Sequence, residues 1–392
     1  MLSSGPYRRF PFGDMRYTVL VIDDLENVLG LAGLRALAIL MFPIKCEGLL
    51  EVMRLKAMDL FCGCGGLTVG LKRAKFSVVG AIEKDPLACE AYRMNHPRTR
   101  LFEGDICEIS PEAVLSELGL DVGELDLLAG CPPCQGFSTI RTKNRGAITD
   151  EPMNDLVFEF ERYVRAMRPR SIMMENVPGL ASDLRSDDVI ASLEKLGYRC
   201  DIEVFNAAEF GAPQRRKRMI LIGSTEFDPR FASASKRRRT VRAVIGKLPS
   251  PAVSADPLHN YTSRRSEGVQ TLIEMVPRDG GSRTDLPEEM QLDCHRKCDG
   301  FKDVYGRMAW DAPSPTITGG CINPSKGRFL HPEEHRAITL REAAMLQGFP
   351  ANYKLPVKRG RFPLAQLIGN AFPPIFAQKH AAVLREDLMQ EN

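Results

Sequence analysis

The chain has no apolar run long enough to cross a bilayer; the stretch from Val28 to Leu40 is short and carries Arg35. No secretory leader is readable either, so the expectation is a soluble, cytoplasmic protein without membrane attachment. Internal repeats and low-complexity tracts are missing, which argues against a solenoid or a disordered linker. There is little excess of either charge: 53 basic residues stand against 50 acidic ones, a net +3 that identifies no partner. Eleven cysteines, an odd number spread through the sequence, offer no disulfide framework and fit a reducing compartment.

What is present is a 44% hydrophobic chain of 392 residues, enough for two or more compact units with a sizeable core. Residues 1–53 hold a strand-like run, Tyr17 to Ile22, and an apolar segment around Leu31 to Phe42, but no motif that carries chemistry. Met53 and Met58 just before the first informative motif make a wrongly chosen upstream start one explanation of this extension. From Ala57 onward strands and helices alternate. Strands are expected at Ala57–Phe61, Ser77–Ile82, Leu125–Ala129, Ser171–Met174 and Met219–Ile222, with a further one before Asp105. Helices are expected from Gly66 through Leu71, after the Asp85-Pro86 cap through Arg93, over Asn154–Met167 and over Asp187–Leu196. Such alternation predicts an α/β fold with a mostly parallel, Rossmann-like sheet covered on both faces. Residues 246–335 lack sustained periodicity and read as a second, smaller domain. Regularity resumes at Thr339 and Glu342, a capping box for a helix ending near Gly348, and a last helix is expected after Pro374.

Four segments carry candidate chemistry. The run Asp59-Leu-Phe-Cys-Gly-Cys-Gly-Gly66 follows a first strand, where small residues let a ligand approach the backbone. Glu83 closes the second strand twenty residues after Gly63, the placement of a carboxylate that accepts ribose hydroxyls. Asp105, followed by Ile106, could accept from an adenine amino group, and Phe61 could lie on the adenine face. At this point a turn for some other nucleotide cofactor remains open. The second segment, Gly130-Cys-Pro-Pro-Cys-Gln-Gly136, stiffens the backbone with Pro132 and Pro133 and mounts Cys134 as a nucleophile. A zinc site from Cys62, Cys64, Cys131 and Cys134 is the alternative, and Cys294, His295 and Cys298 form another possible ligand cluster. Third, Glu175 ends a very apolar strand in Met174-Glu-Asn-Val-Pro-Gly179. Fourth, Arg216 and Arg218 in Gln214-Arg-Arg-Lys-Arg218 point to the same side. That segment opens a basic run to Arg242 with ten Lys or Arg against Glu226 and Asp228, a footprint for a polyanion or else a solvated loop.

Together these segments resemble the cytosine-5 DNA methyltransferases of bacterial restriction-modification type. The resemblance rests on Phe-x-Gly-x-Gly-Gly, Pro-Cys-Gln, Glu-Asn-Val, Gln-Arg-Arg-x-Arg, Pro-Thr-Ile-Thr (315–318) and Gly-Asn-Ala (369–371), in that order from about Leu55 to Leu388. It implies transfer of a methyl group from S-adenosylmethionine to carbon 5 of a flipped-out cytosine in double-stranded DNA. It further implies Cys134 as nucleophile, with Glu175, Arg216 and Arg218 completing the catalytic set. Phe61, Gly63, Gly65, Gly66, Glu83, Asp105, Ile106 and Asn370 are the implied cofactor contacts, and no metal is implied. The organisation it implies is a catalytic domain at 54–245 completed by 369–392, a target-recognition domain at 246–335 and a hinge at 336–368. Arg141, Lys143, Arg145, Arg264, Arg265 and Arg307 are candidate DNA contacts. The protein is expected to act as a monomer, with a cognate restriction endonuclease as a functional rather than physical partner. The tRNA-methylating branch of the same family is the rival; it follows Pro-Cys-Gln with Pro-Phe and carries Cys-Phe-Thr, whereas Gly136 follows Gln135 here and Cys-Phe-Thr is absent.

Overall fold

Strands that are apolar at every position must be covered on both faces, and the sequence supplies helices for each. The computed structural model describes residues 55–133, 155–235, 237–261, 263, 265–291 and 302–390. The amino-terminal extension lies outside them. Seven strands form one sheet: β1 (Lys56–Leu60), β2 (Ser77–Glu83), β3 (Arg100–Glu103), β4 (Leu127–Gly130), β5 (Ser171–Asn176), β6 (Arg199–Asn206) and β7 (Lys217–Ser224), in the order β3-β2-β1-β4-β5-β7-β6. The pairs from β3 across to β5 are parallel, while β7 runs antiparallel to both β5 and β6. The class is α/β and Rossmann-like.

Between the strands lie α1 (Gly66–Arg73), α2 (Pro86–Asn95), α3 (Pro111–Leu118), α4 (Leu156–Met167) and α5 (Leu184–Lys195). Successive strand residues point to opposite faces, and the core divides accordingly. Met58, Leu128, Met174 and Leu221 pack with α3, α4 and α5. Their neighbours Ala57, Leu127, Met173 and Ile222 pack with α1 and with the last helix, α10 (Pro374–Gln390). In the chain α10 follows α6 (Val241–Ile245), α7 (Glu267–Met275), α8 (Leu340–Gln347) and α9 (Arg361–Asn370). Asp85 caps α2 by accepting from Leu87 N at 2.7 Å, and the Thr339–Glu342 capping box starts α8 before Gly348 ends it in a left-handed turn. Helix α5 begins three residues earlier than Asp187, because Asp183 accepts from Arg185 N and supplies the cap. The edge strand β6 and helices α3, α6, α7 and α9 are not among the expected elements, although Arg199-Cys-Asp-Ile-Glu-Val204 does alternate polar with apolar residues.

The described residues between 246 and 335 are mostly turns, with a small cluster of Leu272, Ile273, Val276, Leu286, Tyr305 and Leu330 among them. Irregular backbone leaves carbonyls without helix or sheet partners, and an arginine with five donors can collect them. Arg307 does so. It is fully buried and donates to the carbonyls of Val276 (3.0 Å), Ile273 (2.7 Å), His331 (2.9 Å) and Glu334 (2.6 Å), and it bonds His335 Nδ1 at 3.0 Å. The expectation that Arg307 contacts DNA is therefore corrected: its donors are used inside the protein.

The carboxyl-terminal helix α10 closes on α1 at Gly70, where a Cβ would stand 2.4 Å from the Ala377 side chain and 2.8 Å from the Pro374 carbonyl. Gly70→Ala is expected to destabilise the fold by about 1–3 kcal/mol through overpacking. The second substitution Ala377→Gly should recover part of that loss in urea denaturation; equal stabilities of Gly70→Ala and wild type would refute the close contact.

Candidate active site

In an open parallel sheet, ligands bind at the carboxyl ends of strands where the connections diverge. Here the divergence falls between β1, which leads to β2, and β4 on its other side. At the end of β1 the chain turns into left-handed backbone at Phe61 (φ 57°), Gly63 (φ 53°) and Gly65 (φ 92°). The space beside Gly63 is open, whereas a side chain at Gly65 would strike His96 within 2.5 Å. Gly63 donates to Glu83 Oε2 at 2.8 Å, and Glu83 Oε1 accepts from Lys84 N (2.9 Å) and Asp85 N (2.8 Å). A carboxylate has about four acceptor positions, so Glu83 retains one, on Oε2. Asp105 accepts from Cys107 N at 3.1 Å and from Lys84 Nζ at 3.1 Å, which holds its carboxyl below the usual range. Phe61, Glu83 and Asp105 are thus brought to one edge by the β1–β2–β3 pairing. Ile106 is buried in the core beneath them, its carbonyl taken by Arg162. The return from α9 to α10 presses on the same loop: a Cβ at Gly66 would lie 2.4 Å from the Phe372 carbonyl. Asn370, at the end of α9, is exposed.

A second group gathers at the ends of β4 and β5. Asn176 donates its side-chain amide to the Pro132 carbonyl at 3.0 Å, tying the proline-stiffened turn to the neighbouring strand. Glu175, one residue earlier, is buried and pairs with Arg218 Nε at 2.7 Å. Because β7 is antiparallel to β5, its first residues lie at the last residues of β5, with Asn176 opposite Met219. Arg216 is 4% exposed and donates to the Ile317 carbonyl at 3.0 Å, while its Nε has no hydrogen-bond partner among the described residues. Burial, with the Arg218 charge beside it, lowers the Arg216 pKa to about 9, leaving it cationic at neutral pH. Desolvation and the nearby Glu175 carboxylate push the Cys131 thiol well up, away from thiolate.

Gln214 organises the approach to these arginines. Its amide donates to Gln347 Oε1 at 2.8 Å, and its oxygen accepts from Ile317 N at 3.1 Å, so the Gln-Arg-Arg and Pro-Thr-Ile-Thr segments are joined to α8. Asn176 and Gln214 both stood inside quoted motifs, yet nothing in one sequence distinguishes a backbone clamp from a polar neighbour. The three described cysteines of the zinc alternative fall in different clusters: Cys62 packs with Ala81, Cys89 and Tyr92, Cys64 with Val69 and Ala91, and Cys131 against a third cluster. Cys134, Arg141, Lys143, Arg145, Arg264 and the Cys294–Cys298 cluster lie outside the described residues. Arg265 is half-buried and reaches the Ile322 carbonyl at 3.4 Å.

Behind the glycine loop sits Asp59, fully buried in β1. It accepts from the Thr68 hydroxyl at 2.6 Å, and Thr68 in turn lies 2.8 Å from the Tyr92 hydroxyl, while the other Asp59 oxygen has no hydrogen-bond partner among the described residues. Desolvation raises its pKa to about 7.

A family profile described as C-5 cytosine-specific DNA methylase matches residues 55–386. The Type II methylase M.HgiDII of Herpetosiphon aurantiacus is 38% identical over 330 residues, 81% of this chain and 91% of the relative. The Type II methyltransferase M1.HphI of Haemophilus parahaemolyticus is 33% identical over 357 residues, 88% of this chain and 92% of its own length. Among solved structures, a DNA modification methyltransferase encoded within an E. coli prophage superimposes with a TM-score of 0.63 at 25% identity, covering 86% of this chain and 99% of that one. The S. pombe Dnmt2 methyltransferase shares the fold with a TM-score of 0.55 at 19% identity, over 86% of this chain and 99% of its own.

The buried carboxyl gives a pH signature. Because its folded pKa, about 7, exceeds the unfolded value of about 3.9, the folded protein holds a proton that the unfolded chain has released between those values. The contribution to stability is complete below about pH 4 and is lost as pH rises through about 7. Its steepest slope is on the order of 1.4 kcal/mol per pH unit. Asp59→Asn should remove that slope in urea denaturation, and parallel profiles for variant and wild type would exclude a protonated Asp59.

Proposed function

The chain belongs to the family of C-5 cytosine-specific DNA methylases, and on that premise we propose which of its residues carry the transfer of a methyl group to cytosine carbon 5 in DNA. The observation that carries the assignment is the meeting of Glu175 with Arg216 and Arg218 beside the Pro132 turn, at the edge where β1 and β4 diverge. Cytosine carbon 5 is a poor nucleophile, so the ring must first take a nucleophile at carbon 6. Cys134 fills that role as thiolate, forming a bond to carbon 6 and leaving enamine character at carbon 5. Glu175 accepts from the exocyclic amine and meets ring nitrogen 3 across a shared proton, so that the electron pair displaced by addition at carbon 6 is taken up there as an N–H, and Arg218 supports the carbonyl side with Arg216 nearby. Once carbon 5 carries the methyl group, loss of its proton and expulsion of Cys134 restore the ring. A stacked base cannot present carbon 6, so the target is flipped out of the duplex at a cost of a few kcal/mol.

The glycine edge fits S-adenosylmethionine, the methyl donor implied by this chemistry: the backbone at Gly63 is open, and Glu83 and Asp105 retain acceptor capacity beside it. The group supplies an electrophilic methyl when bound. Phe61, Gly63, Gly65, Gly66, Glu83, Asp105, Ile106 and Asn370 are the residues that would hold it. With one acceptor position left, Glu83 takes one ribose hydroxyl directly; a second must displace a backbone N–H.

Residues 246–335 form the target-recognition domain in this reading, with 336–368 as hinge and 369–392 completing the catalytic domain. Arg265 is the described candidate there for a DNA contact, since Arg307 is used internally. The relatives named as Type II methylases favour a role in protecting host DNA from a partner endonuclease.

A DNA duplex with 5-fluorocytosine at the target should trap a denaturation-stable adduct in the presence of the donor, because fluorine blocks the final elimination. No adduct with wild type, or an undiminished one with Cys134→Ser, refutes the nucleophile. Glu175→Gln should lower kcat by about 100- to 1000-fold while DNA binding persists; an unchanged kcat removes Glu175 from the reaction. Bisulfite sequencing of a host expressing the gene reads out the modified context.

A further inference from the structure

His96 and Tyr353, which back the glycine loop, also line a cleft of about 640 Å³ on their other side. Five cations converge on it: Lys72 and Arg73 at the end of α1, Lys75 just after, Arg98 beyond α2 and Lys354 beyond α8. Among the described residues no carboxylate lines the cleft, and none of the five cations forms an ion pair. Arg239, from the basic run singled out in the sequence, adds its charge to Arg73 and lowers that guanidinium's pKa, second to burial.

Lys72 is the most informative of the set. It is half-buried, with Nζ 3.3 Å from His96 Nδ1 and 3.0 Å from Thr99 Oγ1. Desolvation first, and the Arg98 charge second, lower its pKa to about 8. The groups facing it compensate only in part: His96 is neutral, its pKa pushed down to about 3, and the Asp59 carboxyl, with its pKa raised to about 7, favours the Lys72 charge once ionised but is outweighed by burial and Arg98. Like charges held together at a concave surface without counter-charges focus a positive potential there. We propose that this cleft is a binding site for a compact, phosphate-bearing anion. A duplex carries its phosphates on a convex surface and meets the exposed Lys75, Arg98 and Lys354, whereas the half-buried Lys72 is reached by a small ligand that enters the cleft.

The probe is inorganic pyrophosphate, titrated calorimetrically into the full-length protein at roughly 0.15 M ionic strength, where weak surface attraction is screened. Saturable binding is expected, weakened about tenfold or more by Arg98→Ala/Lys354→Ala, whose side chains are exposed. At about pH 8.5 the bound anion should draw a proton onto Lys72, giving an apparent enthalpy that varies with the buffer's ionisation enthalpy. That proton uptake should vanish in Lys72→Met. The proposal is overturned if pyrophosphate binds no better than sulfate at equal ionic strength, or if the double variant binds it as wild type does. It is equally overturned if a duplex without the methylation target displaces pyrophosphate, which would make the cleft part of a DNA track. Methyl-transfer activity enters none of these readouts, so failure here leaves the assignment of the active site standing, and the reverse also holds.

Discussion

The Glu175–Arg218 ion pair depends on a single reversed strand. Had β7 run parallel to β5, its first residues would lie at the opposite edge of the sheet, and Arg216 and Arg218 would be a sheet's height away from Glu175. The reversal also brings Gln214 and the segment at Ile317 to the same edge, because both are fixed to the chain just before β7. A largely buried ion pair is costly to break from one side, on the order of 3–5 kcal/mol, since the partner is left charged and desolvated. Before a base arrives, each of these two groups therefore keeps the other satisfied.

The glycine edge is held from behind rather than by its own hydrogen bonds alone. Asp59, Thr68 and Tyr92 form one buried polar chain, and Tyr353 donates to the Cys64 carbonyl while bonding His96 at 3.1 Å. Gln347 on α8 meets Gln214 on one side and the Ala371 carbonyl on the other. These links join the loop at β1, the return before α10 and the arginine segment into one support. The two groups of site residues are thereby positioned by a shared framework, although they come from strand ends far apart in sequence.

Cationic side chains serve different purposes in this chain, and composition does not separate them. Arg307 holds irregular backbone by collecting carbonyls, Arg336 pairs with Glu334 and Glu342, and Arg341 binds Asp256 and the Tyr353 carbonyl. Where regular structure is scarce, such side chains replace the missing ladders. The cleft cations are the opposite case, carrying charge that the fold leaves uncompensated.

Local chemistry made much of this legible. The Asp85-Pro86 cap, the Thr339–Glu342 box, the glycine turn after β1 and the apolar runs of β4 and β5 depend on neighbours a few residues away, and a sequence records those directly. The ordered motifs from Phe61 to Asn370 likewise determined the family. What needed the tertiary structure was every relation between distant segments: the direction of β7, the Asn176 clamp on Pro132, the burial of Arg307 and the convergence of Lys72, Arg98 and Lys354. A side chain's type fixes which bonds it can make, but only the packed chain decides which partners come within reach and which charges lose their water.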